Sequence, residues 1–265
     1  MSLLKKINKE RLIQIILVSI VLIVCIILCI LNHNDLYHRF ETNFIENDNY
    51  KQVFKGLLNT FLITIVGFVG GVLLGAITCI VLGLESRNTF VIILKQIFKV
   101  YVSIFRGTPA VVQLLIIYFV IFSSYRGDAI FIAMLAFSLN SGAYVSEILR
   151  GGINAVPTGQ MEAGRSLGMS YSQVMIKIIF PQAIRNALPS LGNEFITLIK
   201  ETSVVGFIAS FDLSLAFRKI ANASYDYMFA YLLMGVTYFI IILGVTKLLS
   251  LLERKLLKKW LSLII

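Results

Sequence analysis

The sequence predicts an all-α bundle of membrane-spanning helices, and three observations predict it. The 265 residues are 58% hydrophobic with a mean hydropathy of +0.86, whereas a soluble domain is about 45–50% apolar. The apolar residues are gathered into long runs separated by short polar stretches, as bilayer spans require. The lysines and arginines cluster beside those runs, as they do in loops that obey the positive-inside rule. Net charge is +10, but no basic stripe or recognition motif accompanies it, which argues against a nucleic-acid partner.

The first apolar run, Leu12 to Leu31, follows Lys5, Lys6, Lys9 and Arg11. It is long enough to cross a hydrocarbon layer of about 30 Å. It ends in Asn32-His33-Asn34-Asp35, with no small-residue cleavage site, so an uncleaved anchor is expected rather than a signal peptide. Residues 32–54 are polar and mildly acidic and read as an outer loop. A second span is expected from about Gly56 to Leu84. Gly67, Gly71 and Gly75 repeat at every fourth position in it, a small-residue stripe on which another helix can pack closely.

Residues 90–105 are apolar with spaced charges and suit an interfacial segment. Thr108 is a candidate helix cap and Pro109 suits the first turn that follows. The run from Pro109 to Ser123 is too short to span alone. Either the span begins near Lys99 and kinks at Pro109, or the helix is broken, which is tolerated where it lines a cavity. A short outer loop, 124–128, leads to a span from Ala129 to Leu149. Arg150 to Lys177 then forms a polar, glycine-rich inner loop. A fifth span, from about Ile178 to Ile199, is expected to be interrupted by Pro181 and Pro189. Residues 200–227 read as external and partly re-entrant, and a last span runs from Met228 to Leu249. With this arrangement seventeen basic residues lie inside and six outside, so both termini are expected in the cytoplasm.

The three cysteines, Cys25, Cys29 and Cys79, lie within apolar runs and frame no loop, so no disulfide is expected. His33 and His38 have poor spacing for a metal on one helical face. No metal site is expected.

The inner loop has its own physics. Pro157 and Thr158 open a short helix with Glu162 near its positive end. Gly168 suits a left-handed stop, and Ser170 with Gln173 has the pattern of a capping box for a second helix. Within it, Glu162-Ala163-Gly164-Arg165-Ser166-Leu167-Gly168, nine further residues, and Ile178-Ile179-Phe180-Pro181 resemble the coupling motif of permease subunits of ATP-binding-cassette (ABC) importers. Gly164 stands where that motif has Ala, and Phe180 where it has Leu. Arg106-Gly107-Thr108-Pro109, the stretch Ser141 to Ile153, and Gly192-Asn193-Glu194-Phe195 are similar to the permeases for polar amino acids.

The resemblance covers residues 55–250. It implies a type I importer core of five spans over 55–252, preceded by an extra segment (1–54) and followed by a basic tail (253–265). Glu162, Ala163, Gly164, Gly168 and Pro181 would couple the chain to a separate ATPase subunit. A second permease chain, identical or different, and an external amino-acid-binding protein would complete the transporter in the bacterial cell membrane. No Gly-x-x-x-x-Gly-Lys-Ser/Thr stretch occurs, so this chain has no P-loop. It is not expected to be an enzyme or to hold a cofactor: ATP and Mg²⁺ would sit on the partner.

Ionisable residues within spans are candidates for the substrate path. Glu147 and Glu194 would each suit a cargo amino group, with Gln113, Ser141, Tyr144 and Asn193 adding hydrogen bonds. The structural alternatives are an ion pair of Glu147 with Arg150, and of Glu194 with Arg106 or Lys200. An ion-gradient transporter or channel would be expected to carry inverted repeats, and none is visible. A membrane-embedded enzyme would need a catalytic cluster, which is also missing. Another small solute carried by the same type of importer is the alternative cargo.

Overall fold

The computed structural model describes residues 33–261, with side chains over 36–256, together with Ile13. The rest of the expected anchor, including Cys25 and Cys29, lies outside the described residues. So does the His33 side chain.

Every element among the described residues is helical. Residues 33–54 are not the loop expected from their polarity. Helix α1 (His33–Phe40) runs into a π-helical turn (Glu41–Glu46). Asp48, left-handed at φ 55, then separates that turn from α2 (Asn49–Gly83), which starts seven positions before the expected span. Polar residues at the head of a long apolar helix continue its hydrogen-bond ladder into the interface, which composition alone does not mark.

The α2 carboxyl end turns extended at Leu84, whose carbonyl accepts a bond from Lys95 Nζ (2.7 Å). Asn88 caps α3 (Thr89–Gly107) through Phe90 N–H (2.9 Å). The chain then bends by 115° into α4 (Ala110–Ile116) and a π-helical turn (Ile117–Ile121). The break is explained by Pro109: a residue before proline is pushed out of the helical region, and Thr108 is extended at φ −127, ψ 150. Thr108 is therefore not the cap of α4. Its hydroxyl donates back to Ile104 O (2.8 Å).

Helix α5 (Ala129–Asn154), capped by Asp128 at Ile130 N–H (3.0 Å), is the central element. Helix α2 lies along it in parallel, on the glycine stripe. A Cβ at Gly67, Gly71 or Gly75 would meet the Cβ of Phe137 (3.0 Å), Ser141 (2.6 Å) or Val145 (2.7 Å). The constant offset of 70 residues shows two parallel helices in register, approaching as closely as missing side chains allow.

After α5 come α6 (Gly159–Ser166), α7 (Tyr171–Val174), a π-helical turn (Met175–Ile179) and α8 (Phe180–Glu201). Neither proline interrupts α8. Pro181 sits in its first turn, where no N–H is needed, and Pro189 lies inside a helix that continues past it. The π turn before Pro181 shifts the hydrogen-bond register where the ring would otherwise remove a bond. Residues 200–227 are more ordered than expected: a 3₁₀ helix (Thr202–Ile208), left-handed Ala209, and α9 (Leu213–Ser224). Helix α10 (Tyr227–Leu261) is the last element among the described residues and runs unbroken past position 252.

Helices α2, α5 and α10 are long and apolar enough to cross a membrane, and the bent pair α3–α4 makes a fourth crossing if counted as one. Helix α8, over the stretch read as the fifth span, does not reach that apolarity.

Candidate coupling loop and charged cavity

Between α5 and α8 the chain forms a compact knob. Thr158 occupies the N-cap position of α6, but its side chain makes no capping bond. The other end follows expectation. Gly168 is left-handed (φ +81), Met169 N–H donates to Gly164 O (3.1 Å) and Gly168 N–H to Arg165 O (3.0 Å). This is a complete Schellman motif. Ser170 Oγ accepts from Gln173 N–H (3.3 Å) while Gln173 Oε1 accepts from Ser170 N–H (2.8 Å), the reciprocal capping box that restarts the helix.

The knob has a seated face and a free face. Gly164 is buried, and a Cβ there would lie 2.6 Å from Val174 Cγ2, so Gly at this position matches the bulk of Val174. Val174 belongs to a small core with Val156, Ile179 and Ala183, against which Met161 and Met169 pack. Glu162, Ala163 and Gly168 are exposed, and Leu167 is 83% exposed. Pro181 is half-buried at the start of α8.

A cavity of about 470 Å³ lies just above the knob, between α5, α8 and the end of α3. Its charges converge on Glu147. Arg150 donates to both carboxylate oxygens, Nε at 3.1 Å, and Arg106 Nη1 lies 3.3 Å from Oε2. The Arg106 guanidinium also lies over the Tyr144 ring, 5.8 Å from its centre, a cation–π arrangement. Two guanidinium groups around one carboxylate leave a formal excess of one positive charge. Asn186 and Ser190 complete the polar lining, and Gly152 lets α8 approach, its added Cβ meeting Ala187 Cβ at 3.0 Å.

The structure divides the six candidate path residues. Tyr144 and Glu147 line the cavity. Ser141 and Glu194 are buried one turn further along α5 and α8 and face each other across the seam. Glu194 forms no ion pair with Arg106, which is engaged by Glu147, nor with Lys200, which is exposed. Gln113 is committed to its own chain. Its Nε2 donates to Phe105 O (2.8 Å) and to Thr108 O and Oγ1 (both 2.9 Å), and its Oε1 accepts from Asn140 (2.8 Å). It braces the α3–α4 break. Asn193 is exposed, with its carbonyl accepting from Thr197. Sequence reasoning missed Asn186 and Ser190, although two polar residues four apart on α8 do mark one helical face. Arg106, one of two alternative ion-pair partners for Glu194 in the sequence, pairs with Glu147 instead.

Residues 71–258 match the profile of the family described as "binding-protein-dependent transport system inner membrane component". The chain belongs to this family. This permease is 39% identical over 206 residues to the arginine transport system permease protein ArtQ of Bacillus subtilis, covering 77% of this chain and 92% of ArtQ. It is 38% identical over 204 residues to the L-cystine transport system permease protein TcyB of the same organism, covering 76% and 85%. Among solved structures it superposes on a chain of an amino acid ABC transporter crystallised with histidines, at TM-score 0.72 and 37% identity, covering 80% of the permease and 98% of that chain. The MetNI methionine ABC transporter gives TM-score 0.65 at 18% identity, covering 77% and 95%, a likeness of fold alone. As in its family, the permease is the membrane-embedded subunit of an ABC transporter whose ATPase is a separate subunit.

Proposed function

We propose that this permease moves polar amino acids into the bacterial cell, and that its charged cavity handles the zwitterionic part of the cargo. Glu147 and the Tyr144 ring suit the cargo ammonium, and Arg106 and Arg150 suit its carboxylate, since guanidinium and carboxylate pair in a fixed fork. Asn186 and Ser190 offer hydrogen bonds beside them. The relatives named for arginine and cystine, and the transporter crystallised with histidines, support this cargo class.

The observation that carries the reading is the adjacency of knob and cavity on one continuous piece of chain. Glu147 and Gly151 line the cavity on the last turns of α5, and the exposed knob follows directly. The knob is the seat for an ATPase subunit in the cytoplasm. That subunit holds ATP and Mg²⁺, and its movement against Leu167 and Ala163 would rotate α5 relative to α8. A second permease chain forms the other wall of the path, and the external binding protein delivers cargo. Alternating access then follows from the different affinities of the two states for ATP and cargo.

The reading predicts that Glu147→Gln lowers ATP-driven uptake into proteoliposomes at least tenfold while the chain still co-purifies with its ATPase. Glu194→Gln, one turn deeper, lowers uptake too. Wild-type uptake by Glu147→Gln would remove the cavity from the cargo path.

A further inference from the structure

At the end of the bundle opposite the knob, residues 202–224 form a rigid platform carrying aromatic rings paired with cations. Lys219 Nζ lies 4.9 Å from the centre of the Phe211 ring, and Lys55 Nζ, from α2, lies 5.8 Å from the same centre. One ring thus has two ammonium groups from different elements within 6 Å of its centre. Beside it the Arg218 guanidinium lies 5.7 Å from the centre of Phe207, itself 58% exposed.

The backbone beneath is fixed. Asn59 Nδ2 donates to Phe211 O (2.7 Å) and Leu213 N–H donates to Thr60 Oγ1 (3.1 Å). Gly56 is pressed against the Asp212 carbonyl, where an added Cβ would stand at 2.6 Å. Asp212 is fully buried and turned inward, accepting from Ser214 and Leu215 N–H. Among the described residues the ion pairs involve other groups, Arg39 with Asp226, Lys51 with Asp48, and the Glu147 cluster. Lys55 and Lys219 are exposed, and among the described residues neither forms an ion pair.

We propose that the Lys55–Phe211–Lys219 platform is the docking seat for an acidic lobe of the external binding protein, with partner carboxylates flanking the Phe211 ring. The inference rests on the importer reading above, which places this end outside. A half-buried ring with two exposed ammonium groups beside it offers a carboxylate-bearing partner both an aromatic surface to pack on and complementary charge. Cation–aromatic pairing holds each ammonium in place for a carboxylate to meet, and opposite fields on the partners speed encounter. A protein lobe is favoured over lipid headgroups because the rings are carried by a segment held to α2 by two hydrogen bonds, at Asn59 and Thr60, and by the close contact at Gly56, a fixed shape that a fluid headgroup layer does not need.

The test uses nanodiscs holding the permease with its ATPase and a fluorescent binding protein from the same transporter. The double variant Lys55→Glu/Lys219→Glu should raise the Kd at least tenfold at low salt and flatten its salt dependence, with ATP hydrolysis in the absence of binding protein unchanged. Lys55→Arg/Lys219→Arg should stay within about twofold of wild type, because guanidinium keeps the charge and the ring contact. An unchanged Kd and salt slope in the charge-reversed variant would overturn the proposal, as would an effect seen only in discs of anionic lipid, which would assign the platform to headgroups. Failure of wild-type discs to bind or respond to the binding protein would instead overturn the importer reading itself.

Discussion

Gly168 carries the one backbone conformation in the coupling loop that side chains resist. At φ +81 an L-residue is strained by about 1–2 kcal/mol, and a β-branched one has the least room to adapt. Gly168→Val is therefore expected to open the Schellman turn and misplace Leu167. Reconstituted vesicles should retain ATP hydrolysis while cargo moved per ATP falls severalfold, and an unchanged ratio would show that the turn does not transmit force. The stop at Gly168 and the capping box at Ser170 were legible in the sequence because each depends on neighbours within four positions. Thr158 was not, since whether a cap residue turns its hydroxyl onto the helix depends on backbone angles that the residue type does not set. The same limit applies to Glu147: its charge within a span marked it as a candidate for the substrate path, but only the fold brings Arg106, forty-one positions earlier, against it.

Helix α2 illustrates what a pattern can reveal about an element. The Gly67, Gly71 and Gly75 repeat showed that a partner would pack there, without showing which. The structure supplies α5, in parallel register. Gly71→Leu would press a branched side chain into the Ser141 side chain and the Gly142 backbone of α5, and overpacking of this kind costs about 1–3 kcal/mol. We expect a lower thermal midpoint in detergent and loss of uptake, whereas Gly83→Leu, where nothing lies within 4 Å, should leave both unchanged. Equal effects at the two sites would mean that the stripe is not a packing face. Boundaries were less legible than faces. Polarity hid the helical start of α2 and the ordered platform over 202–224, because a helix in the interface needs no apolar sequence of its own. The prolines of α8 misled in the other direction: a first-turn proline fits a helix, and an interior one is tolerated when neighbouring helices hold it.

For the whole molecule, the helical membrane bundle and its family were legible from composition and one loop motif, because both are properties of contiguous sequence. The cavity was not, since it is assembled from α3, α5 and α8. What the assembled chain adds is a single path from an exposed knob to a charged cavity, with the α3–α4 break braced beside it by Gln113. On the reading proposed above, the chain alone has no energy source, and its movement comes from the subunit that would grip the knob. Uptake of a radiolabelled amino acid into proteoliposomes, with ion gradients collapsed by ionophores and binding protein supplied, measures this directly. The account predicts uptake only when the ATPase subunit and ATP are both present, and none from the permease by itself. Uptake by the permease alone, or uptake driven by a sodium or proton gradient without ATP, would contradict it.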